Sequence, residues 1–175
     1  EKKKEKKASK ARGSAPEPDE PPVPYRYVVN TVRLNNNLLT SIAGLPTALS
    51  QVCADLSALQ ILDLSFNHIT SVDPAISQLY NLSVLRLHAN SIKNFEAICH
   101  VLPLTHLHRL TLMNNPLDQH SDYRNLACAL IPTLKAFDNV LITASEESRI
   151  ESYKQSPRGR QAIMSIHRAK AKAGP

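Results

Sequence analysis

Cys99, His100, His106 and His108 stand close together in the chain, and thiolate and imidazole are what a zinc ion takes. Their order, Cys-His-x5-His-x-His, matches no common zinc frame, and adjacent residues such as Cys99 and His100 point in different directions on a helical turn. No metal site is read from them. Asp63, Ser65 and His88 have the residue types of a hydrolytic triad. That chemistry also needs a desolvated pocket and donors for an oxyanion. No nucleophile elbow, phosphate loop or paired-carboxylate motif accompanies them, and four glycines in 175 residues leave little for a phosphate cradle. The reading is a chain with no catalytic residues and no cofactor.

Asn37, Asn67, Asn90 and Asn115 are more informative, because they recur in one frame. The segments 29–39, 59–69, 82–92 and 107–117 all follow L-x-x-L-x-L-x-x-N-x-L, and their asparagines lie 30, 23 and 25 residues apart. Apolar residues at alternate positions, such as Leu62 and Leu64, make a strand with one buried side. Equivalent strands of successive repeats pair in parallel. Each asparagine turns inward where the chain leaves its strand and bonds free backbone groups of its own loop and of the neighbouring repeat. Such a bond contributes about 1 kcal/mol, and leaving buried groups unpaired costs about 1–3 kcal/mol. The four asparagines are therefore expected to form a structural ladder of buried amides.

The frame resembles the leucine-rich-repeat family, in its short-repeat intracellular class. The resemblance implies an α/β solenoid with a parallel sheet on the concave face and short helices or 3-10 turns on the convex face. The segments 72–79 and 95–102 have the helical spacing for the convex side, where Cys53 and Cys99 are expected to pack. The wide first spacing implies an insertion around Ile42 to Asp55.

Residues 123–138 resemble the C-terminal cap of the same class: Tyr123-Arg124, a short helix, then Ile131-Pro132-x-Leu134-x-x-Phe137-Asp138. Leu134 and Phe137 would open an incomplete fifth repeat, and the cap implies a cytoplasmic or nuclear member of the family. Thr143 reads as a helix N-cap with Glu146 as its capping-box partner. Pro157 and Gly159 then break that helix, and residues 160–172 follow as a basic helix, surface-lying or partner-bound, or as a frayed tail. The domain reading is a tail over 1–24, a leucine-rich-repeat domain over 25–142 with its cap over about 116–142, and a C-terminal helix with basic tail over 143–175.

Composition agrees. Apolar residues make up 42% of the chain and there is no Trp, so the core is aliphatic. The formal charge of +6 sits at the ends: residues 149–175 hold seven basic groups against one acidic, whereas residues 25–148 hold seven against nine. Basic ends attract acidic surfaces without sequence discrimination. Three cysteines with no close pair fit a reducing compartment. No apolar stretch approaches the roughly 18 residues of a membrane span. The lysines and glutamates at the start are followed by no apolar block, which reads as no secretory signal. Residues 1–24, with their run of prolines and acids, are expected to be extended and flexible.

The residues between the buried leucines face the concave side. Arg33 and Asn35, then Asp63 and Phe66, then Arg86 and His88, then Arg109, Thr111 and Met113 make a mixed face across adjacent strands. Arg33, Asp63 and Arg86 form a row of alternating sign, with Phe66 and Met113 as apolar anchors. Five strands span roughly 20 Å, and a helix is about 10–12 Å wide. The face suits a helix or extended segment of another protein and encloses no small-molecule substrate. Arg86→Glu is expected to weaken partner capture with unchanged melting. Nucleic acid is expected only as non-specific attraction to the tails.

Residues 30–150 further resemble small leucine-rich-repeat proteins of ciliated organisms, above all along Asn81-Leu-Ser-Val-Leu85-x-Leu-His88-x-Asn90. That resemblance implies a non-catalytic scaffold in the cytoplasm and cytoskeleton, within the axoneme of cilia or flagella. Its partners would be radial-spoke, dynein-associated or tubulin proteins. The alternative is a regulatory adaptor subunit of a phosphatase or ribonucleoprotein complex.

Overall fold

The structure is a computed structural model that describes residues 26–173. The expectation of an extended tail over 1–24 lies outside the described residues. Four three-residue strands, Thr31–Arg33 (β1), Ile61–Asp63 (β2), Val84–Arg86 (β3) and Arg109–Thr111 (β4), pair in parallel in chain order. Ala136–Phe137 (β5) continues the parallel array as the incomplete fifth repeat, and Val140–Leu141 (β6) folds back antiparallel.

Register is set by the leucines. Val32, Leu62, Leu85, Leu110 and Phe137 align across the sheet, and all but the edge residue Val32 are at most 1% exposed. Leu64, Leu87 and Leu112, one pleat further on, are completely buried. A slip of one residue would turn every leucine to solvent, which is why the repeats stay in phase.

The strands are short because the residue before each asparagine takes left-handed backbone: Asn36, Phe66, Ala89 and Asn114 have φ of 57°, 54°, 54° and 59°. Asparagine accepts that conformation readily, whereas Phe66 and Ala89 accept it at roughly 1–2 kcal/mol each. Ladder bonds hold them there. Phe66 N donates to His88 O at 3.0 Å and Ala89 N to Met113 O at 3.0 Å.

On the convex side, 3-10 helices over Pro74–Gln78 and Phe95–Val101 return the chain to the next strand. The long first repeat instead has room for an α-helix, Leu45–Val52 (α1), and a short 3-10 turn, Leu56–Ala58. The side chains of Asp55, Asp73 and Asn94 cap these three of the four described 3-10 helices by accepting from Ser57 N, Ala75 N and Ala97 N; the fourth, Pro116–Gln119, has no side-chain cap. Cys53 and Cys99 are buried on this side.

The far end is closed by Tyr123–Leu130 (α2) and the β5–β6 hairpin, whose turn residues Asp138 and Asn139 have φ of 49° and 64°. Ala144–Gln155 (α3) packs on α2, and Pro157–Ala173 (α4) packs on α3, on α2 and on the convex 3-10 helix Phe95–Val101. Pro157 ends α3 and also begins α4, so the expected break is a corner between two helices. Gly159 lies inside α4, where a Cβ would sit 2.0 Å from Tyr153 O. Only glycine permits so close a corner. Of the alternatives open for residues 160–172, the structure has a docked helix, with Ile166 2% exposed and Ile163 half-buried against the core.

The expected capping box is formed by half. Thr143 Oγ1 accepts from Glu146 N at 3.3 Å. The Glu146 carboxylate turns to Arg124 instead, whose Nε and Nη2 donate to it at 2.5 and 3.0 Å. A guanidinium offers a two-pronged, charged donor that a single backbone N–H cannot match.

Candidate protein-binding face

The ladder residues sit where the repeat frame puts them. Asn67 Nδ2 donates to Leu34 O, Leu64 O and Ser65 O at 2.9–3.1 Å, and its Oδ1 accepts from Leu39 N at 3.0 Å. Asn90 reaches Leu64 O and Leu87 O and accepts from Ile69 N. Asn115 reaches Leu87 O and Leu112 O and accepts from Ile92 N. Each thus ties its own repeat to the one before. Asn37 departs from the expectation of burial. It is exposed and donates only to Leu34 O and Asn35 O of its own loop, because no earlier repeat lies against it among the described residues.

On the concave face, strand register puts Arg33, Asp63, Arg86 and Thr111 in one row. Two of the expected contact residues are corrected here. Asp63 is 6% and Thr111 5% exposed, so neither is presented to a partner. Asp63 Oδ1 accepts from Ser65 Oγ at 2.6 Å and from Ser65 N, and Oδ2 accepts from Arg86 Nη1 at 3.1 Å. Burial by itself would raise the Asp63 pKa, but the Ser65 hydroxyl and amide and the Arg86 guanidinium outweigh it and hold the carboxyl below its ordinary value. Thr111 Oγ1 bonds His88 Nδ1 at 2.9 Å.

These bonds also dispose of the imagined triad geometry. The Ser65 hydroxyl is committed to Asp63, and His88 to Thr111, so no imidazole faces the serine oxygen. Cys99 is buried in its 3-10 helix while His106 is exposed, and no group of three His, Cys, Asp or Glu among the described residues is placed to hold a metal.

What stands free on the face is a smaller set. Arg33 and Arg109 are exposed and make no ion pair among the described residues. Phe66 is half exposed, its ring edge-on to His88 at 5.2 Å. Asn35, Arg86, His88 and Met113 are partly accessible. An open recess of ≈ 330 Å³ beside β4 and β5 is lined by Arg109, Thr111, Asn139 and Leu141, among others. Sequence alone missed the hairpin that completes this recess. Its one signal was the Asp138-Asn139 pair, two residues that tolerate left-handed backbone.

Arg86 also changes role. Removing it leaves the buried Asp63 carboxylate without a cation, with Ser65 as its remaining donor, and glutamate there would add a second negative charge beside Asp63. The expectation that Arg86→Glu leaves melting unchanged is therefore withdrawn, and Arg109 becomes the cleaner probe of the face.

The family model for leucine-rich repeats (2 copies) matches residues 57–100. Leucine-rich repeat-containing protein 51 of Bos taurus is 36% identical over 130 residues, covering 74% of this chain and 68% of that protein. The U2 small nuclear ribonucleoprotein A' of Candida glabrata is 34% identical over 97 residues, covering 52% of this chain and 34% of that protein. Among solved structures, a chain of the Drosophila melanogaster SNF/U2A' complex superposes with a TM-score of 0.65 at 19% identity, over 78% of this chain and 74% of that one. That likeness is one of fold.

Proposed function

Because this chain belongs to the leucine-rich-repeat family of leucine-rich repeat-containing protein 51, we propose that it is a non-catalytic protein-interaction scaffold of the ciliary or flagellar axoneme. The observation that carries the interaction reading is the division of labour on the concave face. Asp63 and Thr111 are consumed in holding Arg86 and His88, while Arg33, Phe66 and Arg109 are left to solvent. Two guanidiniums without an ion pair among the described residues, with a half-exposed aromatic ring on the same face, suit a helix or extended segment that carries carboxylates and one apolar anchor. Among the described residues no helix is long and apolar enough to cross a membrane. The axonemal setting rests on the resemblance to proteins of ciliated organisms, and radial-spoke, dynein-associated and tubulin proteins are the partner classes it suggests. The basic ends of the chain favour acidic surfaces there.

A second reading is a regulatory adaptor of a ribonucleoprotein or phosphatase complex, favoured by the similarity to the U2 small nuclear ribonucleoprotein A'. The two separate in ciliated cells. An axonemal scaffold stays with detergent-extracted axonemes and leaves in high salt. A regulator is soluble and co-purifies with an RNA-bound or catalytic chain. In either setting, Arg109→Glu and Phe66→Ala are each expected to weaken binding of the co-purifying partner by roughly tenfold. Both side chains are exposed, so melting should be nearly unchanged; unaltered partner binding in both variants would remove the concave face from the account.

A further inference from the structure

The two ends of the solenoid are built differently. One is closed by α2, the hairpin and the two C-terminal helices. At the other, β1 has β2 on one side and no neighbour on its second side among the described residues. Its bonds to the second repeat use Asn30 O, which accepts from Ile61 N at 2.9 Å, and Leu34 N, which donates to Asp63 O at 2.8 Å. Backbone groups of alternate residues point opposite ways along a strand, so the N–H and C=O groups of Thr31 and Arg33 face the open edge.

Next to that edge lies an open recess of ≈ 300 Å³, lined by Leu34, Leu39, Ile42 and Leu45 among others. This is the end of the leucine core. Leu38, 81% exposed, and Val28, 78% exposed, lie in the same first repeat. On the concave side of the same strand stands Arg33. Its register partners Asp63 and Arg86 neutralise each other at 3.1 Å, so among the described residues the row runs unpaired cation, anion, cation. A carboxylate one strand beyond β1 would continue the alternation.

We propose that this edge binds an extended segment of another protein, which adds a strand to β1. The segment has the pattern apolar-acidic-apolar. Its acid sits at the register of Arg33, and its flanking apolar residues enter the recess at the register of Val32 and Leu34. The molecule already contains such a strand, since Leu62-Asp63-Leu64 meets β1 in that register from the other side. Two other occupants fit less well. Residues 16–24 of this chain include five prolines, each without an N–H to donate. A second copy pairing edge to edge would bring two Arg33 guanidiniums together.

The test uses the full chain and a fluorescein-labelled peptide with the sequence of residues 59–68, followed by anisotropy. A second peptide carries lysine in place of its aspartate. Saturable binding of the first peptide is expected, at least tenfold tighter than the second. Arg33→Glu, a change at an exposed side chain, should reverse that order. Hydrogen exchange at the Thr31 and Arg33 amides should slow when the peptide binds. Absence of binding, or equal affinity for the two peptides, overturns the proposal. So does finding those amides already protected in the free chain. If deleting residues 1–25 then unmasks them, the chain's own start holds the edge; if sedimentation shows a dimer, a second copy does.

Discussion

Replacing Asn67 by alanine is expected to remove about 3 kcal/mol of stability, the net of several lost bonds and of buried groups left without partners. The amide is 5% exposed and reaches three carbonyls and one N–H, spread over two repeats. Alanine fits the space but satisfies none of them. A chain of this size loses roughly 2–4 °C per kcal/mol, so the melting temperature should fall by about 6–12 °C. Aspartate offers no rescue, because it has no N–H for the three carbonyls and adds a buried charge. Asn37→Ala is the internal comparison. That amide is exposed and bonds only within its own loop, so the loss should stay below about 1 kcal/mol. Thermal unfolding followed by circular dichroism decides it: equal losses at the two positions would mean that the ladder does not join one repeat to the next.

The second large effect lies at the cap. Arg124→Leu is expected to lose about 2–4 kcal/mol, somewhat less than a fully buried pair because the Arg124 side chain is 28% exposed. Among the described residues, the change leaves the buried Glu146 with only Arg149, at 3.2 Å, and leaves Phe137 O without its 2.9 Å donor. It also removes the clamp between α2 and α3. The Arg124 guanidinium holds the Glu146 carboxyl below its ordinary pKa, and Asp63 is lowered as well. A carboxyl with a depressed folded pKa binds fewer protons folded than unfolded. Its stabilisation is therefore complete above the ordinary carboxylate value, near pH 4.3, and is lost as pH falls through the folded value. Urea midpoints of the parent chain should drop steeply below about pH 4.5, and Arg124→Leu should flatten part of that drop. Parallel pH curves for the two chains would show that this pair does not link α2 to α3.

Several parts of this arrangement were legible from residue order. Leucines at alternate positions, followed three residues later by asparagine, specify a short strand, its buried side and the turn that ends it. The recurrence of the frame then specifies the neighbour, since each asparagine has bonds to spare for the preceding repeat. The Tyr123-Arg124 and Asp138 signature marked where the stack stops. Its reasons became visible only in space: Tyr123 Oη donates to Asp138 Oδ2 at 2.7 Å, while Asp138 Oδ1 accepts from Leu112 N and Met113 N at the open end of β4.

Other assignments could not be made from one strand at a time. Asp63 looks like a surface acid in its own repeat. It is buried because Ser65 beside it and Arg86 on the next strand close over it. Glu146 fits a capping box locally, yet a guanidinium 22 residues earlier in the chain competes for it and wins.

What the amino-acid order determined by itself was the repeat: which side chains enter the core, which strands are neighbours and in what register. Those follow from periodicity, because burial of alternate leucines leaves a single phase in which all of them are covered. Tertiary structure alone decided which polar residues remain free to meet another molecule. A charged side chain is available only when no partner from another strand or helix reaches it first, and that competition is settled by distances between residues far apart in the chain.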